Sequence, residues 1–196
     1  RKDSEYIINN ICNQINDLDL KNLKIEEFKK EIRLIKRRIN IFMVLVSILE
    51  EKNIEEIGMI SSRFADLLIK SSLQFSVLQY YKDNQELFDK KINITNSGFF
   101  LIALGKLGSY DLNFSSDVDL LFFFDDEKIK HFLNKNPGYH LNIIIKKFIE
   151  FLSDINEFDF VYRIDFRLRP DPGITPLAIS ASAAENYYYG LGQNWE

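Results

Sequence analysis

Two aspartates separated by one residue are the feature of this sequence best suited to chemistry. Asp117 follows Gly108-Ser109 by eight residues, and Asp119 leads into an apolar segment, residues 120–124. Residues i and i+2 of a strand point to the same side, and carboxylates on one side repel each other unless a cation lies between them. Mg²⁺ is usually held by one or two carboxylates together with substrate phosphates. The pattern therefore predicts magnesium-dependent chemistry on a nucleotide.

The same Asp-x-Asp pattern also occurs in metal-dependent glycosyltransferases. The small-residue turn that precedes Asp117 favours nucleotidyl transfer instead. A phosphate-binding P-loop at 98–106 is excluded, because the glycine spacing is wrong and Leu107 stands where a Ser or Thr would bind Mg²⁺.

A third carboxylate lies in a segment of alternating residues further along the chain. From 160 to 169 apolar residues occupy every second position, which is typical of a strand. The charged positions between them are Arg163, Asp165, Arg167 and Arg169. We predict a strand over 160–169 that places Asp165 beside Asp117 and Asp119 as a metal ligand, with arginines that clamp phosphate oxygens through the guanidinium fork. The alternative is a solvent-facing strand whose Arg and Asp residues pair with each other.

The elements that position these side chains follow from the spacing of apolar residues. The predicted strands are 99–104, 117–124, 160–169 and 177–179. They should be neighbours in one small sheet, because their apolar faces need a common core. A turn at 135–138 precedes a helix over 139–155, and Ser180 or Ser182 caps a last helix, with Glu185 at capping-box distance from Ser182.

The first half of the chain has helical spacing throughout residues 4–89. A second helix starts at Asn53, a good N-cap residue, and a linker follows at 93–98. The basic residues of the preceding helix are Lys29, Lys30, Arg33, Lys36, Arg37 and Arg38. They form either a solvated face or a basic face near a phosphate site. We expect a helical N-terminal region, 1–90, and a catalytic domain, 91–196.

Composition excludes several classes of protein. A net charge of −4 over 196 residues gives no polybasic signature for DNA. The single cysteine, Cys12, suits a reducing cytoplasm, and with only His131 and His140 it cannot complete a structural zinc site from Cys and His. The longest apolar run, 41–46, is far shorter than a membrane span of about 18 residues, and a buried helix explains it better.

Four motifs together resemble one known family. They are Gly-Lys-Leu-Gly at 105–108, Leu-Asn-Phe-Ser-Ser-Asp-Val-Asp-Leu at 112–120, Tyr-Arg-Ile-Asp-Phe-Arg-Leu-Arg-Pro at 162–170, and Tyr187-Tyr188 with Gly-Gln-Asn-Trp-Glu at 192–196. The similarity covers roughly residues 25–196 and is to the bifunctional glutamine synthetase adenylyltransferase / adenylyl-removing enzymes. That family has two tandem nucleotidyltransferase domains of the polymerase-beta-like fold. One attaches AMP to a tyrosine of glutamine synthetase, and the other removes it by phosphorolysis, releasing ADP.

The resemblance implies an α+β fold, with a helical N-terminal part and a polymerase-beta-like domain whose small mixed sheet is flanked by helices. It implies Asp117, Asp119 and Asp165 as catalytic residues and Mg²⁺ ligands. The groups expected to bind nucleotide or phosphate are Lys106, Gly108, Ser109, Arg163, Arg167 and Arg169. The implied partners are glutamine synthetase, ATP or ADP, phosphate and a PII-type signalling protein.

The amino-acid sequences of the motifs are similar to those of the N-terminal, adenylyl-removing half of the family. Adenylylation from ATP, or a catalytically silent nucleotide-binding module, are the alternatives. Because the sequence opens with Arg1 and stops at Trp195-Glu196 with one catalytic module, we expect it to be part of a longer protein.

Overall fold

The computed structural model describes residues 2–49, 52–88, 97–133 and 135–190. Its helices are α1 (Lys2–Asn16), α2 (Ile25–Ile48), α3 (Ile54–Asp83), α4 (Gly105–Gly108), α5 (Pro137–Ser153) and α6 (Ala181–Gly190). Its strands are β1 (Phe99–Ala103), β2 (Val118–Phe124), β3 (Ile164–Asp165) and β4 (Ala178–Ser180). Short 3₁₀ turns occur at Gln85–Leu87 and Lys128–His131.

Strand β2 is the centre of a mixed four-stranded sheet. It pairs antiparallel with β1 along its length, from Ala103 opposite Leu120 to Phe99 opposite Phe124. It also pairs in parallel with β3 at its start and with β4 at its end. This sheet, flanked by helices, confirms the α+β prediction and the expectation that the strands are neighbours.

The larger of two hydrophobic clusters joins the N-terminal helices to the sheet and α5. Phe28 of α2 stacks on Phe75 of α3 with ring centroids 3.9 Å apart, and Phe151 of α5 contacts both rings at 5.6 and 5.4 Å. All three side chains are fully buried. The boundary near residue 90 stays a prediction, because residues 89–96 lie outside the described part of the chain.

Helix caps explain where two of the helices begin. The Asn53 side chain accepts the backbone N–H of Glu56 at 2.8 Å, and the Glu56 side chain accepts that of Asn53 at 3.0 Å, which confirms the predicted start of α3. Ser180 accepts the N–H of Ala183 at 3.2 Å. Of the two predicted caps for the last helix Ser180 is therefore correct, and Ser182 lies inside α6.

Two predictions of helix extent are wrong. Residues 4–89 are not helical throughout, because the chain leaves the helix at 17–24, where the Asp19 carbonyl accepts two backbone N–H groups, and again before Asn53. Residues 135–138 are not all a turn: α5 already starts at Pro137. Proline is well tolerated there, since the first N–H of a helix has no partner within the helix.

The strand predicted over 160–169 is also wrong, because only Ile164 and Asp165 pair with β2. Before this pair in the chain, the N–H groups of Val161 and Tyr162 both donate to the carbonyl of Leu152 at the end of α5. After it, the Asp165 carboxylate accepts the backbone N–H of Arg167 at 2.8 Å. Both contacts turn the backbone away from the sheet.

The apolar run at 41–46 is only half buried. Phe42, Met43 and Val46 lie in the core, whereas Ile41 and Leu45 are about half exposed, at 55% and 51%. Across the part of the chain that the structure describes, no helix combines the length and apolar character needed to cross a bilayer. Most of the predicted linker at 93–98 and the whole motif at 192–196 lie outside that part.

Candidate functional site

Two of the three predicted carboxylates lie side by side where β2 and β3 pair, and the third lies just ahead of β2. Asp119 and Asp165 are direct partners in the parallel register, on strands that neighbour at about 4.8 Å. Asp117 lies two residues before Asp119, just ahead of β2. The side chain of Asp165 is 14% exposed and that of Asp117 is 49% exposed. The carboxylates therefore line the edge of a site that is open to solvent on the Asp117 side.

A glycine turn lies close against the carboxylate of Asp119. Gly105, the first residue of α4, has φ +54°, and a Cβ on it would lie 2.6 Å from Oδ2 of Asp119. The backbone N–H of Leu104 also donates to the Asp119 carbonyl at 3.0 Å. Gly108 is needed for a different reason, because its Cβ would lie 2.5 Å from the Ala103 carbonyl oxygen of β1. Sequence reasoning selected Gly108 for the site and gave Gly105 no role of its own.

The electrostatics of Asp119 show that the carboxylates act on one another. Burial raises the pKa of Asp119, and the negative charges of Asp165 and Asp117 raise it further, while Arg167 partly opposes them. The pKa of Asp165 is instead lowered, mainly by its hydrogen bond from Arg167. Ionised Asp119 is thus the least stabilised of these charges, and a cation bound beside it would relieve the repulsion.

Two arginines pair with the other two carboxylates. Arg163 donates from Nε to Asp117 at 2.5 Å and from Nη2 to the Ser115 carbonyl at 2.9 Å. Arg167 donates to the Asp165 carboxylate from Nε at 2.8 Å and from Nη2 at 2.5 Å, and the Arg167 side chain is 83% exposed. The structure therefore shows the Arg–Asp pairing that the sequence left as an alternative, placed within the cluster that was predicted to bind metal.

This pairing accounts for the absence of a ready-made metal cage. Within the described ranges, no three His, Cys, Asp or Glu side chains are grouped closely enough to hold an ion. Asp117 and Asp165 face guanidinium groups, which serve as their counter-ions. The donor set nevertheless fits Mg²⁺, since it offers carboxylate oxygens only and contains one carboxylate whose pKa is raised by its two neighbours.

The remaining predicted residues have contacts of other kinds. Lys106 is exposed on α4, next to Gly105. Ser109 donates its hydroxyl to the carbonyls of Gly105 and Lys106 at 3.1 and 3.3 Å, closing its own turn. The guanidinium of Arg169 donates to three backbone carbonyls of its loop, those of Phe166, Pro172 and Thr175. We therefore leave Arg169 out of the phosphate-binding set.

Two further residues near the site were missed as site residues. The ammonium of Lys36 in α2 lies 4.0 Å from the ring centroid of Tyr162, and both side chains are buried. The only signal in the sequence was the basic stripe of α2, which does not single out one lysine. Tyr162 belongs to the same segment as Asp165, so its burial brings α2 next to the carboxylates.

Comparisons with known proteins identify the family of the chain. Residues 5–196 match the family model described as glutamate-ammonia ligase adenylyltransferase. Three relatives carry the name bifunctional glutamine synthetase adenylyltransferase/adenylyl-removing enzyme. The one from Mesorhizobium japonicum is 45% identical over 100 residues, covering 51% of this chain and 10% of the relative. The one from Bartonella quintana is 42% identical over 102 residues, covering 52% and 10%.

The third relative, from Brucella suis, is 31% identical over 171 residues, which cover 87% of this chain and 17% of that protein. The chain therefore spans only a small part of the length of the curated relatives it matches. Its match to the family model, in contrast, extends over nearly all of its own length. The resemblance noted in the motifs is confirmed, and the chain belongs to the glutamate-ammonia ligase adenylyltransferase family.

Proposed function

We propose that this chain is a nucleotidyltransferase domain that acts on glutamine synthetase and removes AMP from its modified tyrosine by phosphorolysis, giving ADP. The observation that carries the proposal is the pairing of Asp119 with Asp165 in the β2–β3 register, with Asp117 two residues before Asp119 and its charge acting on it. Family membership supplies the class of reaction, and the relatives' name includes both attachment and removal of an adenylyl group.

The chain's own residues support this chemistry in distinct ways. Asp117, Asp119 and Asp165 would hold Mg²⁺, which supplies neutralisation of phosphate charge during in-line transfer. The turn at Gly105 leaves room for the Asp119 carboxylate, because a side chain at position 105 would collide with it. Arg163 and Arg167 neutralise the carboxylates in the structure as described, and their forks match phosphate oxygens equally well. We infer that they exchange a carboxylate for a phosphate partner when nucleotide and metal bind.

The direction of reaction depends on the nucleophile, because both directions displace a group at the AMP phosphorus. In removal, an oxygen of inorganic phosphate forms a bond to that phosphorus, the bond to the tyrosyl oxygen breaks, and the tyrosine takes up a proton. Phosphate is small and highly charged, so its pocket needs cations. Lys106, Arg163 and Arg167 supply them, and together with the resemblance to the N-terminal half they favour removal.

Other parts of the proposal rest on the family resemblance alone. These are the binding of ATP or ADP and the interaction with a PII-type signalling protein. A cytoplasmic location suits the single cysteine, Cys12, which is a buried free thiol.

One assay separates the three candidate functions. The chain is incubated with adenylylated glutamine synthetase and Mg²⁺, with and without inorganic phosphate, and ADP is quantified by chromatography. A parallel reaction contains unmodified glutamine synthetase and labelled ATP. Phosphate-dependent ADP release supports removal, and transfer of label from ATP supports attachment and contradicts our assignment. Nucleotide binding with neither reaction would favour the silent module.

A further inference from the structure

A cationic cavity lies beside the carboxylate cluster, between α2 and the segment that leads into β3. It consists of two adjoining chambers of about 220 and 180 Å³, which share Lys36, Asn40, Asp159 and Phe160 as lining residues. The first chamber also contacts Arg33 and Arg37, and the second contacts Ser115, Ser116 and Arg163. The proposed function has so far given this cavity no role.

Lys36 is a buried cation of α2 that has neither an ion pair nor a hydrogen bond from its side chain among the described residues. Its neighbours on the helix are satisfied: Lys29 pairs with Glu150 at 2.7 Å, and Arg33 donates to the carbonyls of Lys29, Asp154 and Asp159. Lys36 is only 8% exposed, and its recorded contact is with the face of the Tyr162 ring. Burial lowers its pKa to about 8. A buried ammonium without a counter-ion is unfavourable, so an anion in the cavity would stabilise it.

The second chamber connects Lys36 with the catalytic cluster. Arg163 lines this chamber and donates to Asp117 and to the Ser115 carbonyl. The ring of Tyr162 lies beneath the Lys36 ammonium. Its hydroxyl is buried and has no hydrogen-bond partner within the described residues. Two carboxylates also line the cavity, that of Asp159 in both chambers and that of Glu157 in the first, but neither is within ion-pair distance of Lys36.

We propose that this second chamber binds a phosphate-class oxyanion between Lys36 and Arg163. A volume of about 180 Å³ has room for one such ion with a few waters, each of which takes about 30 Å³ in the liquid. It is smaller than the roughly 300–1,000 Å³ typical of sites for larger ligands. The role of the ion rests on the proposed function: it is the inorganic phosphate that attacks the AMP group. Binding of the ion does not depend on that function.

The test is a titration of the metal-free chain with potassium phosphate, followed by calorimetry and by ³¹P NMR line broadening at constant ionic strength. We expect saturable binding by the wild type and at least a tenfold weaker affinity in Lys36→Met. The matched control is Lys30→Met, which removes the same charge from an exposed position of α2 outside the cavity lining and should bind like the wild type. If Lys36→Met fails to fold, Arg163→Gln provides a second variant expected to weaken binding.

Three results would overturn the site: no saturable binding by the wild type, wild-type affinity in Lys36→Met, or an equal loss in Lys30→Met. The assay for ADP separates this inference from the proposed function. If phosphate binds through Lys36 but no ADP forms, the site stands and its catalytic role is wrong. If ADP forms with an unchanged phosphate KM in Lys36→Met, the function stands and the ion bound at Lys36 is not the attacking phosphate.

Discussion

At the scale of single residues, the arginines of the site could serve two roles, pairing with a carboxylate or binding a nucleotide phosphate. Arg167 pairs with Asp165 through two nitrogens, yet its side chain is largely in solvent. A pair of this kind contributes only about 0–1 kcal/mol to stability. We therefore propose a functional role for the pair, which would keep a guanidinium next to the place where nucleotide phosphates are expected.

Replacing Arg167 separates these roles. Arg167→Ala should weaken nucleotide affinity about tenfold and change the free energy of unfolding by no more than about 1 kcal/mol. Arg167→Lys should restore only part of the affinity, because an ammonium cannot reproduce the bidentate fork. Fluorescent-nucleotide titration and urea unfolding measure the two quantities. Arg38→Ala, at an exposed arginine that donates to Gln14, is the control, and unchanged affinity in Arg167→Ala would favour a purely structural pair.

Lys36 gives stability a characteristic pH dependence. Burial lowers its pKa from 10.5 to about 8, so between these values the unfolded chain holds a proton that the folded chain has released. Stability conferred by position 36 should therefore rise with pH from about 8 to 10, by at most about 1.4 kcal/mol per unit. The charged or titratable groups around it are Arg33, Arg37, Glu157, Asp159, Tyr162 and Arg163.

Subtracting the stability of Lys36→Met at each pH removes most of the contribution of those neighbours. Urea unfolding at several pH values supplies the data. A difference between wild type and variant that stays flat from pH 8 to 10 would mean that the folded chain does not hold Lys36 with a lowered pKa.

At the scale of elements, the sequence was sufficient where the structure depends on local patterns. The apolar runs of β1 and β2 and the Asn53 cap were predicted correctly, because each needs only nearby residues. The alternation at 160–169 led to a wrong strand prediction, because the backbone N–H groups of Val161 and Tyr162 donate to the end of α5 and not to a strand. Asp117, Asp119 and Asp165 were selected as candidates by their spacing alone, and their role stays a prediction. Gly105 and Lys36 were not selected, since their contacts are between distant segments.

The turn at Gly105 gives a prediction at this scale. Gly105→Ala should lower turnover at least a hundredfold, because its methyl group would collide with the Asp119 carboxylate at a backbone φ that alanine rarely adopts. Stability should fall by only about 1–2 kcal/mol. Gly173→Ala is the control, since the nearest atom to its added Cβ would be 3.8 Å away. Wild-type turnover in Gly105→Ala would show that this turn does not position Asp119.

At the scale of the whole molecule, the helical half and the catalytic half share one core. Phe75 of α3 stacks on Phe28 and contacts Phe151 of α5. Phe75→Ala should lower the free energy of unfolding by about 3–5 kcal/mol. The melting temperature of both halves should fall together, as one transition in calorimetry. Tyr189→Ala, at a largely exposed aromatic, should change little. Two transitions, with the variant affecting only one, would instead support independent domains divided near residue 90.

The central claim is that the carboxylate cluster carries out magnesium-dependent removal of AMP. Its most direct test is the rate of phosphate-dependent ADP release from adenylylated glutamine synthetase by Asp119→Asn. We expect a loss of a hundredfold or more with an unchanged or raised Tm, because the substitution relieves the repulsion from Asp117 and Asp165. EDTA should abolish the wild-type rate, and the exposed Asp17→Asn control should retain it. Wild-type ADP release by Asp119→Asn, or a rate insensitive to EDTA, would contradict the account.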